Sequence, residues 1–205
     1  MGKVKVKKAD VWIDMTPMSD VMVLLLTFFM LTSTFVKNEA VKVMTPASVS
    51  EIKVPETNVL TILCDKQGKV FLGMDTPGKM EELLTGMAAQ YGVSLNAKQL
   101  ENGRSAATIG VSMQDLSSLL SQDTEKMNEY MATRGIPTDS IDGKMSEFQD
   151  WVTVARDNNG SDMKIAIKAD SNTPYKTIKK MMSELQDMSE NRYFLITALK
   201  SNSED

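Results

Sequence analysis

Asp20, Thr27 and Thr34 recur at i, i+7 and i+14 in a stretch that is otherwise almost wholly apolar. On a helix turning about 100° per residue, all three fall within a stripe roughly 40° wide. A carboxyl flanked by hydroxyls can pass a proton or hold a small cation, H⁺ or Na⁺. An acid in a membrane helix costs about 2.5–3.5 kcal/mol at the bilayer centre and less near the helix end. Lipid favours its neutral form, and the helix N-terminus favours its carboxylate. A group held between the two can change protonation state during a cycle. The plainer alternative is an interfacial acid held by the helix end and by water. The threonines do not decide the matter, because their hydroxyls readily bond the helix backbone.

The element that must carry these residues is apolar. From Val21 to Val36, VMVLLLTFFMLTSTFV, there is no charge, and from Met15 there is one, Asp20. Residues 15–36 are expected to form one transmembrane helix, because 22 residues at about 1.5 Å each reach roughly 33 Å against a hydrocarbon core of about 30 Å. A cleaved signal peptide fits less well: the apolar run is long, and no small-x-small site precedes Lys37. Thr16 suits a helix cap and Pro17 the first helical position. Asp14 reads as a further cap, or as a second acid at the proton entry. Lys3, Lys5, Lys7 and Lys8 precede the helix, so the positive-inside rule puts residues 1–14 in the cytoplasm and 37–205 across the membrane. One helix cannot enclose an ion path, so a multi-helix membrane partner is implied.

Composition removes other chemistry. The 205 residues include no histidine and one cysteine, Cys64. Ser-His and Cys-His catalysis, an intrachain disulfide and a Cys-cluster metal site are therefore excluded. With 23 basic and 27 acidic residues, the chain lacks the basic excess of a nucleic-acid binder. No Gly-rich loop offers a phosphate cradle, so neither a cofactor nor a metal is expected, and the protein does not read as an enzyme. The 17 methionines read as core filling rather than copper ligands.

Beyond the helix, residues 37–57 read as a linker: either a plain solvated tether, or one in which Val41–Met44 pairs as an edge strand with a partner or with a second copy of the chain. A hairpin follows, Val59–Cys64 and Lys69–Gly73 around a turn with Gly68. Met80, Leu83, Leu84, Met87, Ala88 and Tyr91 predict a helix ended by Gly92. Leu116, Leu119, Leu120, Met127, Tyr130 and Met131 suggest one or two short helices. Met145, Phe148, Val152 and Ala155 suggest another, with Trp151 beside the stripe. Asp157–Asp162 reads as a turn rather than a calcium loop. Lys164–Ala169, a helix from Thr173-Pro174 and Tyr193–Leu199 predict a β-α-β unit, with Tyr175, Ile178, Met182 and Leu185 lining one face of the helix and Met181 and Met188 beside it. The fold expected of 58–200 is α+β, a small open sheet with helices on one face and a helical insertion at about 92–160. Residues 201–205 read as a frayed tail.

Two blocks resemble a known family. Ile13-Asp14-Met15-Thr16-Pro17-Met18-Ser19-Asp20-Val21-Met22 resembles the "NVTP-hydrophobic-x-DVM" signature of the ExbD/TolR family of biopolymer-transport subunits. Ile165 to Asp170, Thr173-Pro174-Tyr175 and Leu195-Ile196-Thr197 resemble its "IxAD…PY…LVT" pattern. The resemblance implies a bacterial inner-membrane protein, single-pass, with a periplasmic domain. It implies a homodimer inside a pentamer of an ExbB-like channel protein, with Asp20 as proton carrier and a TonB-like protein energised for outer-membrane transport. TolR-like members instead serve envelope integrity with TolQ and TolA partners, and a passive membrane-anchored scaffold is the remaining alternative. Asp14 departs from the family's Asn. The long 92–160 region resembles the enlarged forms of Bacteroidetes-type bacteria.

Overall fold

A computed structural model describes residues 14–33, 43–48, 55, 57–139 and 145–199. The chain divides into two compact units, Met1–Val36 and Lys37–Asp205.

The first unit holds helix α1, Thr16–Thr32. Met15 is its N-cap and makes no side-chain cap bond, and Thr16 is already helical. The acceptor at this end is Asp14, whose Oδ1 takes the Thr16 N–H at 2.9 Å. The helix ends where Ser33 turns extended, with its N–H bonded to Phe29 O. Its 17 residues reach about 26 Å, shorter than the expected span. Among the described residues, no helix is long and apolar enough to cross a membrane. The shortening has a local cause. Thr32 turns its hydroxyl back onto Phe28 O at 2.8 Å, and a β-branched, hydroxyl-bearing Thr-Ser-Thr run favours helix ends over interiors.

The second unit is an α+β domain. Its main sheet has the order β3-β2-β4-β5, built from β2 (Val59–Cys64), β3 (Val70–Met74), β4 (Lys164–Ala169) and β5 (Tyr193–Leu195). β2 and β3 form the expected antiparallel hairpin. Asp65 fixes its turn: Oδ1 accepts the N–H groups of Gln67 and Lys69 at 2.8 Å each. Gly68 supplies the left-handed residue at φ +82°. β4 lies parallel to both β2 and β5, and the parallel step to β5 is made by α7 (Tyr175–Asp187).

Helices α2 (Pro77–Tyr91), α3 (Ala97–Ser105), α4 (Met113–Leu120), α5 (Thr124–Ala132) and α6 (Glu147–Asn159) lie between the hairpin and β4. Gly92 ends α2 in the left-handed region, as the periodicity predicts. α6 opens on a Ser146–Gln149 capping box. Trp151 lies on its buried face, and Met145 stays outside the helix and half exposed.

Three expectations need correction. Helices on one face do not describe the sheet around β3, where all five successive positions are buried. Both faces of that strand are therefore covered, and the 92–160 region adds Leu116, Leu119, Met127 and Phe148 to the same core. The closing strand is not continuous. β5 stops at Leu195, and Ala198–Leu199 (β6) pairs in parallel with Ala47–Ser48 (β1) in a separate two-stranded sheet. The buried face of α7 is also rotated from the expected apolar face. Met181, Glu184 and Leu185 are buried, while Tyr175 is 75% exposed. With only three residues in β5, the sheet ends before it can cover the first turns of the helix.

Candidate functional site

In the first unit the candidate group is Asp20. It lies within the first five residues of α1, the one charged residue between Thr16 and Thr32. Its carboxyl has no hydrogen-bond partner among the described residues. Pro17 holds the second helical position. Thr27 does not offer a free hydroxyl, since Oγ1 donates to Val23 O at 2.9 Å and lies 3.0 Å from Leu24 O. Thr34, the third member of the stripe, lies outside the described residues, as do Lys3, Lys5, Lys7 and Lys8. No residue of α1 is buried within its own unit. Leu24, Phe28, Phe29 and Leu31 all stand more than half exposed. A surface this apolar needs a cover of lipid or protein. Asp14 at its foot is held below the usual carboxylate range by the Thr16 hydroxyl and then by the Thr16 N–H.

In the second unit the structure gathers residues from the C-terminal blocks. Ile167 pairs in register with Leu195. Ile167, Asp170, Thr173, Tyr175, Leu195 and Thr197 line one cavity of about 390 Å³. Ile178 and Met182 of α7 also line it, so these members of the expected apolar face form its apolar wall.

The polar rim of this cavity is fixed rather than free. Thr173 does not cap α7, whose N-cap is Pro174. Its hydroxyl donates to Asp65 O at 2.9 Å, tying the helix entry to the β2–β3 turn. Asp170 accepts the N–H of Asn172 at 3.0 Å and that of Met44 at 2.9 Å. These two bonds hold its carboxyl below the usual carboxylate range. Ser171 returns a bond to Met44 O at 2.9 Å. Residues 43–48 are thus anchored to the domain, and Val43 packs against the core. Val41 and Lys42, the start of the expected edge strand, lie outside the described residues. Met44 was the contact that composition could not announce, because nothing in a Pro-flanked linker marks one N–H as the partner of an acid 126 positions away.

Cys64 is buried, with Sγ 3.6 Å from Met181 Sδ. Burial, with Asp65 nearby, pushes its thiol up to about 12. A thiol so placed is a packing group, inert towards exchange while the domain stays folded. No group of acids and thiols suited to a metal occurs among the described residues.

The model of a protein family described as "Biopolymer transport protein ExbD/TolR" matches residues 7–198. No curated protein and no solved structure matches the chain.

Proposed function

The chain belongs to the ExbD/TolR family of biopolymer transport proteins, and from that premise we propose that it is the ion-carrying subunit of an ExbB–ExbD-type inner-membrane motor. α1 with its flanks, residues 15–36, crosses the membrane with the N-terminus in the cytoplasm. The domain from residue 37 stands in the periplasm. Asp20 takes up a proton on one side and releases it on the other, shielded by an ExbB-like channel pentamer and a second copy of the chain. Each charge moved yields about 2.3 kcal/mol per 100 mV of membrane potential. A few protons in succession therefore drive a mechanical step that a TonB-like protein passes to an outer-membrane transporter.

One observation carries this reading: α1 is apolar and unburied along its length, and its single charge is an acid. A helix that only anchors a domain can carry an acid at its start, held by the helix end and by water, so the need for an ionisable group at Asp20 is what separates the two roles. The test is Asp20→Asn. Asparagine keeps the size and the hydrogen bonds but cannot ionise. Energised uptake is expected to fall to the uncoupled background, while the variant still co-purifies with the channel protein. Full uptake by that variant would overturn the proposal and leave a passive scaffold. The family covers TolR-type assemblies as well, and co-purification with a TonB-like rather than a TolA-like protein checks that choice.

A further inference from the structure

β3 is an edge strand without the usual protection. Val70-Phe71-Leu72-Gly73-Met74 carries no charge and no proline, and it lies at one end of the sheet order. A bare apolar edge is a template for any extended strand that meets it. Natural edges are blunted by lysine, proline, bulges, shortness or a covering segment. The opposite edge uses shortness, since β5 has three residues and follows Glu190-Asn191-Arg192. β3 is covered instead, and the cover comes from the 92–160 region.

The register shows which groups need covering. Leu72 exchanges both of its backbone bonds with Ile109, at 2.8 Å through its N–H and 2.7 Å through its carbonyl. Leu72 therefore turns its backbone away from β2, and by the alternation of an antiparallel ladder so does Val70. Val70 O takes the N–H of Ile136 at 2.9 Å. At the strand entrance, Lys69 donates Nζ to Ala132 O at 3.1 Å. The cover is thus applied at two places 27 residues apart in the chain, with α4 and α5 between them.

The fit is as close as the backbone allows. Gly110, beside Ile109, rests on the ring of Phe71, and a Cβ there would sit 1.9 Å from Cδ1. At Gly135, beside Ile136, a Cβ would sit 2.9 Å from Lys69 Cβ. Glycine at each contact point is what lets another backbone come this near to β3.

We propose that residues 106–136 are an edge guard, which occupies the outer edge of β3 and denies it to the same strand of a second copy. The guard stands independently of the motor reading, because it concerns one sheet edge and not the membrane helix.

Residue-resolved amide exchange and light scattering on the full chain in detergent test it. In the parent, the Leu72, Ile109 and Ile136 amides are expected to exchange at least about 100-fold slower than unpaired loop amides. Gly110→Val drives the 107–111 segment off Phe71. Leu72 exchange should then rise at least about tenfold, with new, larger species that grow with protein concentration. Ile136→Pro removes one donor and leaves the Leu72–Ile109 pair, so a smaller shift in the same direction is expected. Free exchange of Leu72 in the parent overturns the proposal outright. So does a folded Gly110→Val variant with an opened edge and the parent's assembly state. If Gly110→Val does not fold, Ile136→Pro decides in the same way: new association supports the guard, and an opened Val70 edge with unchanged assembly overturns it.

Discussion

At the scale of single residues, the acid on α1 and the acid on α7 differ in how they declare themselves. Glu184 is 9% exposed. It accepts the Ser146 hydroxyl at 2.7 Å, across the start of α6. Burial holds its carboxyl above the usual range, and the Ser146 bond opposes this only in part. The folded protein therefore keeps this proton at pH values where the unfolded chain has lost it. The resulting stability is complete below the unfolded value of about 4.3 and is lost as pH rises through the folded value. Glu184→Gln copies the protonated form. Its Tm should match the parent's near pH 4 and exceed it increasingly towards pH 7. Calorimetric melts that run parallel across that range would rule this out. Asp170 has the opposite sign: its bonds stabilise the fold at neutral pH, and that contribution is lost on acidification. Asp20 could be singled out as a candidate from sequence because a lone charge in an apolar run stands out against its neighbours. Glu184 could not, because its partner lies 38 positions away and an acid on an amphipathic helix reads as solvated. Thr27 shows the limit of spacing alone. Of the expected stripe, Asp20 and Thr27 lie on α1 and Thr34 lies outside the described residues, and the Thr27 hydroxyl is spent on the Val23 carbonyl.

At the scale of elements, periodicity located β2 and β4 at their observed bounds and α2 to within one turn at its start, because each has a local pattern set by burial on the sheet. α3 escaped because it buries little apolar surface: Gln99 and Gly103 are its buried residues. The Asn96–Gln99 capping box was its available signal. Gln99 Nε2 bonds Ser117 O at 3.0 Å and Ser121 Oγ at 2.9 Å, so this helix docks on α4 through polar groups that no hydropathy pattern registers. The break between β5 and β6 was equally hidden, since Tyr193–Leu199 is uniformly strand-like and its partners decide where it divides. The joint between α6 and the turn after α7 rests on Arg156. Its Nε and Nη2 grip both carboxylate oxygens of Glu190, and Nη1 donates to Met163 O at 2.8 Å and Ser161 O at 3.2 Å. Arg156→Ala leaves a partly buried carboxylate and loop carbonyls unpaired, a loss of about 1–3 kcal/mol. Lysine is expected to recover little of it, because one ammonium cannot replace a planar fork. Urea midpoints of the two variants that lie close together and well below the parent are the expected result. A lysine variant at the parent's midpoint would mean that charge alone holds the joint.

At the scale of the whole molecule, average composition misleads because it merges two units with different solvents. Residues 37–205 carry 19 basic and 24 acidic side chains, a balance of −5 typical of a water-exposed domain. The uncharged stretch of the first unit is too short to shift the mean. The core runs from Val59 to Leu185 through β2, β3, α2, the inserted helices, β4 and α7, and α1 adds no buried residue to its own unit. The two units should therefore separate cleanly in a stability measurement. Deleting residues 1–36 is expected to leave the urea transition of the domain within about 0.5 kcal/mol of the parent, the range of a change that touches no core, with an unchanged m-value. Trp151 is fully buried and is the tryptophan both proteins share, since the deletion removes Trp12; in a Trp12→Phe parent its fluorescence follows this transition directly. The same deletion removes Asp20 and should abolish energised transport. That pairing separates folding from function as no point variant can: an intact domain without its helix must be stable and inactive. A large fall in midpoint would show that α1 shares the domain's core and that the molecule is not built in two units. Retained transport would place the ion-carrying group somewhere other than the first 36 residues.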